Sequence, residues 1–247
     1  MKIRHIFYCI LTLVLYAHIC PAFDTLEIVR KGDEVINAPS DAYIYNSMLI
    51  IDKDGNKSER TSEMFQKGSD KRLIRFLTPA DQKGISVLTL PDDRMYLYLP
   101  AFRKIRQIAS HVKNQNFAGT DLTYDDLSHF GFAKNHTARF LREEPDVYVV
   151  ELRPHDSSGK DYSFLHVFYQ KNTFYPVLVE YYDSAGKLWK TIARKDVRKI
   201  KDYWVSMKME VHNLEKDHST ISTVEKIELD TGLDESVFTK RNLIHFR

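Results

Sequence analysis

The 247-residue chain is short of cysteine, of glycine and of any excess of one charge, and each shortage closes off a class of function. Its two cysteines, Cys9 and Cys20, both fall near the N-terminus. If that segment is removed, no disulfide, thiol nucleophile or cysteine-ligated metal remains, and stability must come from packing. The nine glycines stand mostly in turns and form neither a phosphate loop nor a dinucleotide fingerprint. No serine occupies a Gly-x-Ser-x-Gly context, which removes the nucleophile elbow. The ten histidines are scattered without a His-x-x-x-His pair, so a zinc site has no support. Set aside Lys2 and Arg4, and 34 bases face 34 acids. That balance offers no basic face for nucleic acid. After the N-terminal segment, no run approaches eighteen uninterrupted apolar residues, so no second membrane span is expected.

That first segment carries its own message. Lys2 and Arg4 precede a nearly apolar stretch from Ile6 to Ile19, and Cys20-Pro21-Ala22 follows. A basic start, a short apolar middle and a small-residue exit describe a secretory signal peptide over residues 1–22, cut after Ala22. A retained anchor would need a longer span. Lipidation at Cys20 is disfavoured by bulky His18 and Ile19 before it. The expectation is an exported chain of one domain, residues 23–247.

What is abundant is aromatic and β-branched: 14 Tyr and 14 Phe, with Val, Ile and Thr in short runs. Asp24 to Asn37 reads as one helix, with Leu26, Ile28, Val29, Val35 and Ile36 near helical spacing and Pro39 stopping it. Strands are expected over 43–52, 59–67, 71–77, 86–90, 94–99, 136–143, 147–153, 163–170, 176–183, 188–197, 204–213 and 218–228. The turns between them, such as Asp54-Gly55, Glu144-Pro145 and Ala185-Gly186, are too short for parallel crossovers. The text therefore specifies an antiparallel meander. Thr78-Pro79 with Gly84 reads as a capped helical turn. A longer break over 100–135 contains Thr123-Tyr124-Asp125-Asp126, a capping-box-like helix start. A dozen strands twist and curl. One helix and two short pieces can roof such a curl but not fill it, which leaves an apolar cavity; a fully interdigitated sandwich is the competing solution.

Three places carry possible chemistry. Asp121, Asp125 and Asp126 could hold a cation or act as an acid pair, yet they lack the alternating ligands and central glycine of a calcium hand. Read locally, Thr123 caps a helix and the acids favour its positive end. Arg103, Lys104 and Arg106, near His111 and Lys113, could meet anionic head groups or an acidic partner, or could be a solvated strand end. The apolar content of the first strands (Ile44, Met48, Ile50, Met64, Phe65, Phe76, Leu88, Leu97 and Leu99) could line a deformable pocket for acyl chains or form ordinary core.

A resemblance enters on three ordered motifs: Phe76-Leu77-Thr78-Pro79-Ala80-Asp81-Gln82-Lys83-Gly84 after Gly68, then Met95-Tyr96-Leu97-Tyr98-Leu99-Pro100-Ala101 with Arg103 and Ser110, then Phe117 to Leu127. Together they resemble the outer membrane lipoprotein-sorting protein family, a branch of the LolA-like periplasmic carriers. The motifs lie between Gly68 and Leu127, while the layout extends over the whole mature chain. The resemblance implies a mainly β fold, a curved antiparallel sheet forming an incomplete barrel with an N-terminal helix and short helices over its open side. It implies acyl chains of lipoproteins or lipids as cargo, moved between inner and outer membrane, and no catalytic residue, metal or cofactor. Expected partners are an inner-membrane exporter of ABC or RND type and an outer-membrane acceptor, with no nucleic acid and a monomeric state. The cavity residues would be Met48, Ile50, Met64, Phe76, Leu97 and Leu99, and the partner or head-group contacts Arg103, Lys104 and Arg106. The chain departs from the pattern at Ala118 and at Phe102, where a basic residue is common. A lipid-sensing regulatory protein on the same fold is the alternative, and a glycosidase built on paired carboxylates such as Asp121 is a more distant one.

Overall fold

The computed structural model describes residues 24–128, 131–156 and 160–244, so the expected signal peptide lies outside the described residues. The first element, helix α1 (Thr25–Ile36), begins where the sequence places it: the Asp24 carboxylate accepts from the Leu26 amide at 3.0 Å. It buries Ile28, Val29 and Gly32. Gly32 is required by packing, because a Cβ there would stand 2.3 Å from Tyr169 Cε1.

Thirteen strands follow: β1 (Asp41–Ile51), β2 (Lys57–Lys67), β3 (Lys71–Thr78), β4 (Ser86–Leu90), β5 (Arg94–Leu99), β6 (Lys104–Ile108), β7 (His136–Glu143), β8 (Val147–Pro154), β9 (Phe164–Gln170), β10 (Pro176–Tyr182), β11 (Leu188–Ile200), β12 (Tyr203–Asn213) and β13 (His218–Leu229). They form one antiparallel sheet in the order β6-β5-β4-β3-β2-β1-β13-β12-β11-β10-β9-β8-β7. First and last strands pair at its centre, with Ala42 opposite Leu229 and Ile51 opposite Ser219. β6 and β7 are the two free edges, so the curl does not close into a barrel. Their exposed Lys104, Arg106, Arg139 and Glu143 discourage edge-to-edge pairing. Among the described residues no helix is long and apolar enough to cross a membrane.

Between the edges, residues 109–128 cross the inner face as a strap that includes α2 (Tyr124–Ser128). The capping reading of Thr123 holds. Its hydroxyl accepts from the Asp126 amide at 3.1 Å, and the Asp126 carboxylate accepts from the Thr123 amide at 2.8 Å. After β13, the Asp41 carboxylate accepts from the amides of Thr231, Gly232 and Leu233, sending the chain to the outer face. There Phe238 and Leu243, the latter from α3 (Lys240–Ile244), cover Leu73, Leu88, Tyr96 and Tyr98.

Three expectations need correction. The 100–135 break contains a strand, β6: Pro100–Phe102 makes a short 3₁₀ turn, and Arg103 at φ 50° reverses the chain against β5. Its short run shows no period-2 alternation, because Ile105 faces the outer cluster and Ile108 the inner core. Thr78-Pro79…Gly84 forms turns rather than a helical turn, because Thr78 completes β3 and its hydroxyl accepts from the Thr61 amide on β2. Phe65 and Leu88 pack with the outer cluster, since the C-terminal segment gives β2–β5 a second buried face.

Candidate functional site

The inner face is not uniformly filled. Under α1 and the strap, inward Val150, Leu152 and Val167 of β8 and β9 are sealed, while Leu165, Val179 and Ile192, also buried, border the cavity. On the other side of the strap, Ile74, Phe76, Val87, Met95 and Ile108 are buried with Phe117, Leu122 and Leu127 of the strap. Between these wings, over β2, β1, β13 and β12, inward Ile44, Met48, Met64, Met209, Val224 and Ile227 are only half-buried. They line a cavity of ≈ 240 Å³ that runs from beneath the strap to the α1 C-terminus. The alternation of the strands aims these apolar side chains inward, and among the described residues neither α1 nor the strap covers them fully.

The strap that bounds the cavity is held by polar ties. Asp121 is buried and accepts from the Thr220 hydroxyl at 2.7 Å, with His218 Nδ1 at the same distance. Asp126 accepts from Tyr181 at 2.8 Å and from the fully buried Lys190 at 2.9 Å. Burial pushes the Asp126 carboxyl upward, but the Lys190 charge and the bonds from Thr123, Lys190 and Tyr181 outweigh it and hold it below its ordinary value. Lys160 donates to Asp125 at 2.7 Å. Asp161 stands 3.8 Å from Lys190; burial, reinforced by the charges of Asp126 and Asp125, pushes its carboxyl up to about 6 against the pull of that lysine. Arg60 donates to the Ala118 carbonyl and lies over the Phe76 ring, which stacks on Phe117 at 5.1 Å. Asp121, Asp125 and Asp126 thus each tie the strap to a different element, and none is aligned with another as an acid–base pair around an open position.

Met48, Met64 and Phe76 fall on the cavity wall. Ile50 shares their face one step beyond Met48, buried. Leu97 packs against the main core and Leu99 is half-buried at the end of β5; both lie on the far wing, away from the cavity lining. Arg103, Lys104 and Arg106 are exposed, with Lys104 opposite Leu99 and Arg106 opposite Leu97 on the edge strand. Sequence reasoning missed Met209, Val224, Ile227 and the Asp126–Lys190 tie. The three apolar residues join the cavity because β1 pairs with β13, and the tie joins residues 64 apart; no local pattern announces either contact.

This geometry has close counterparts. An outer membrane lipoprotein-sorting protein domain from Vibrio parahaemolyticus superposes with a TM-score of 0.83 at 28% identity, covering 90% of this chain and 98% of that one. A DUF1329 family protein from Desulfovibrio piger matches with a TM-score of 0.82 at 25% identity, covering 89% and 97%. A family model described as an uncharacterized protein matches residues 68–245, starting at the first of the motifs noted above. The chain belongs to the family of that model, and its fold is that of the lipoprotein-sorting domain and the DUF1329 protein. A LolA superfamily protein from Nitrosomonas europaea, with a TM-score of 0.74 at 18% identity over 88% and 98% of the two chains, shares the fold of this chain. Among curated proteins, none matches it in sequence.

Proposed function

We propose that this LolA-like protein is a non-enzymatic carrier that takes up acyl chains of lipids or lipoproteins in the cavity and moves them between inner and outer membrane. It works in the periplasm as a monomeric single domain, residues 23–247, after loss of residues 1–22. The observation that carries the reading is the half-buried state of Ile44, Met48, Met64, Met209, Val224 and Ile227 around an apolar cavity, on a face where inward Val150, Leu152 and Val167 are sealed. Apolar side chains left exposed inside a curl mark a place for an apolar guest. The relative from Vibrio parahaemolyticus, a lipoprotein-sorting domain, supports the same cargo class.

Met48, Met64 and Phe76 would contact the tail, and Ile50, Leu97 and Leu99 would extend the wall toward β5 once the strap shifts. Arg103, Lys104 and Arg106, beside Phe102 at 65% exposure, would face an inner-membrane exporter of ABC or RND type or an outer-membrane acceptor. Burying sixteen carbons is worth on the order of 12 kcal/mol gross, at roughly 0.8 kcal/mol per methylene. Ordering the chain and loosening the strap offset much of that. A carrier needs affinity comparable to a membrane, not greater. The test is binding of a fluorescent fatty acid to Met64→Glu, with folding checked by circular dichroism. Binding lost in a folded variant is expected. Binding retained at full affinity sinks the cavity assignment.

A further inference from the structure

The cavity wall has a window. The β12–β13 ladder ends at Lys208 opposite Thr223, although β12 reaches back to Tyr203 and β13 runs on to Leu229. Each strand keeps its other neighbour over that length, β12 with β11 and β13 with β1. Side chains rejoin the two at the far end, where Lys201 donates to the Leu229 carbonyl and Tyr203 to the Asp230 carboxylate. The opening is therefore bounded on all sides. Consecutive residues Trp204, Val205 and Ser206 all border the cavity, which therefore reaches this unpaired stretch of β12. The Ser206 amide donates to the Tyr175 hydroxyl at 3.1 Å.

Beside this window stands Arg194, opposite Met209 in the ladder and on the cavity wall. Its guanidinium donates to the Pro176 carbonyl at 3.1 Å, and among the described residues no carboxylate pairs with it. The lysine on the same wall, Lys160, is occupied by Asp125. A guanidinium spared from ion pairing at the mouth of an apolar cavity suits an anionic head group, which it can bind through two parallel hydrogen bonds.

We propose that the guest is an anionic amphiphile that enters between β12 and β13, its tail passing Val205 and Val224 and its head held by Arg194. This rests on the carrier reading and adds the ligand's charge and its way in. An acyl tail with an anionic head can come from a free fatty acid or from a phospholipid with one chain, so the test uses palmitate, lysophosphatidylglycerol and uncharged hexadecanol. Binding of each is measured by calorimetry on the wild type, Arg194→Gln and Arg194→Lys.

The wild type should prefer at least one anion over the alcohol by about tenfold, the worth of one charge-assisted hydrogen bond. Arg194→Gln should erase that preference while leaving hexadecanol binding unchanged, and Arg194→Lys should restore part of it. Preference for palmitate alone or for the phospholipid alone supports the proposal and names the source of the head. A preference that survives Arg194→Gln overturns the proposal. So does an equal loss for all three probes, which would make Arg194 a brace for β10. A wild type that binds the alcohol without preferring either anion overturns this proposal but spares the carrier reading; no binding of any probe overturns both. For the entry route, Val224→Trp should slow association of all three probes, and unchanged association rates overturn entry at the window.

Discussion

The wings and the middle of this sheet are built from the same residue types and end in opposite states. On β8 and β9 the inward Val150, Leu152 and Val167 are sealed by α1 and the strap; on β1, β2 and β12 the inward Ile44, Met48, Met64 and Met209 are half-open. Composition does not decide between them. Coverage does: α1 reaches the central strands at one end, beside β12, and the strap at another, tied to β13 at Thr220, so the stretch between the two covers is left open. Apolar area facing a packed cover stabilises the fold, whereas the same area facing a hollow is available to a guest.

The sharpest way to break that contrast is to release the cover. Lys190 and Asp126 are both sealed from water, with side chains 1% and 5% exposed. Removing one partner leaves a buried charge uncompensated, at about 3–5 kcal/mol. Lys190→Met should therefore lower the urea midpoint sharply, and adding Asp126→Asn should recover part of the loss. If the double variant is no more stable than the single, the tie is not what holds α2 against β10 and β11.

Next in size is the wing itself. Leu152 is fully buried on β8, and Leu152→Ala should cost about 2–5 kcal/mol, the range for a well-packed core leucine. A loss under about 1 kcal/mol in chemical denaturation would mean that the wing is as loosely filled as the middle.

Asp161 tests the cover through pH. Its carboxyl is raised from 3.8 to about 6, in the company of Lys190, Asp126, Asp125, Lys160, Tyr162 and Tyr181. A folded-state value above the unfolded one means the group stabilises fully below pH 3.8, and that contribution is lost as pH rises through 6. Asp161→Asn should match the wild type near pH 3.5 and exceed it by about 3 kcal/mol above pH 7, since each tenfold gain in proton affinity on folding is worth about 1.4 kcal/mol. A stability difference independent of pH would contradict a carboxyl held in a desolvated site.

Much of this was legible. The Thr123 cap, the α1 start at Asp24 and twelve strands follow from spacing and turn chemistry, because those signals are local. The curl could be expected from strand number. Which apolar residues face the hollow could not. Phe65 and Leu88 look like Met64 and Phe76 in the text, and only the return of Phe238 and Leu243 to the outer face separates them. Arg194 reads as one more base in Arg194-Lys195; its place beside a break in the sheet depends on where the β12–β13 ladder stops.

The smallest effect on stability carries the most weight for function. Met64 lies on β2 opposite Ile44 of β1, and both side chains look into the cavity. Because Met64 is only half-buried, Met64→Ala forfeits little packing and should cost under about 1 kcal/mol in chemical denaturation. The removed side chain would widen the hollow, so affinity for a sixteen-carbon fatty acid should fall several-fold, through lost contacts, while a bulkier branched probe is admitted more readily. Leu152→Ala should show the reverse: a large loss of stability with fatty-acid affinity unchanged wherever the protein is folded. If both variants lose stability equally, the middle is packed like the wings and there is no room for a guest.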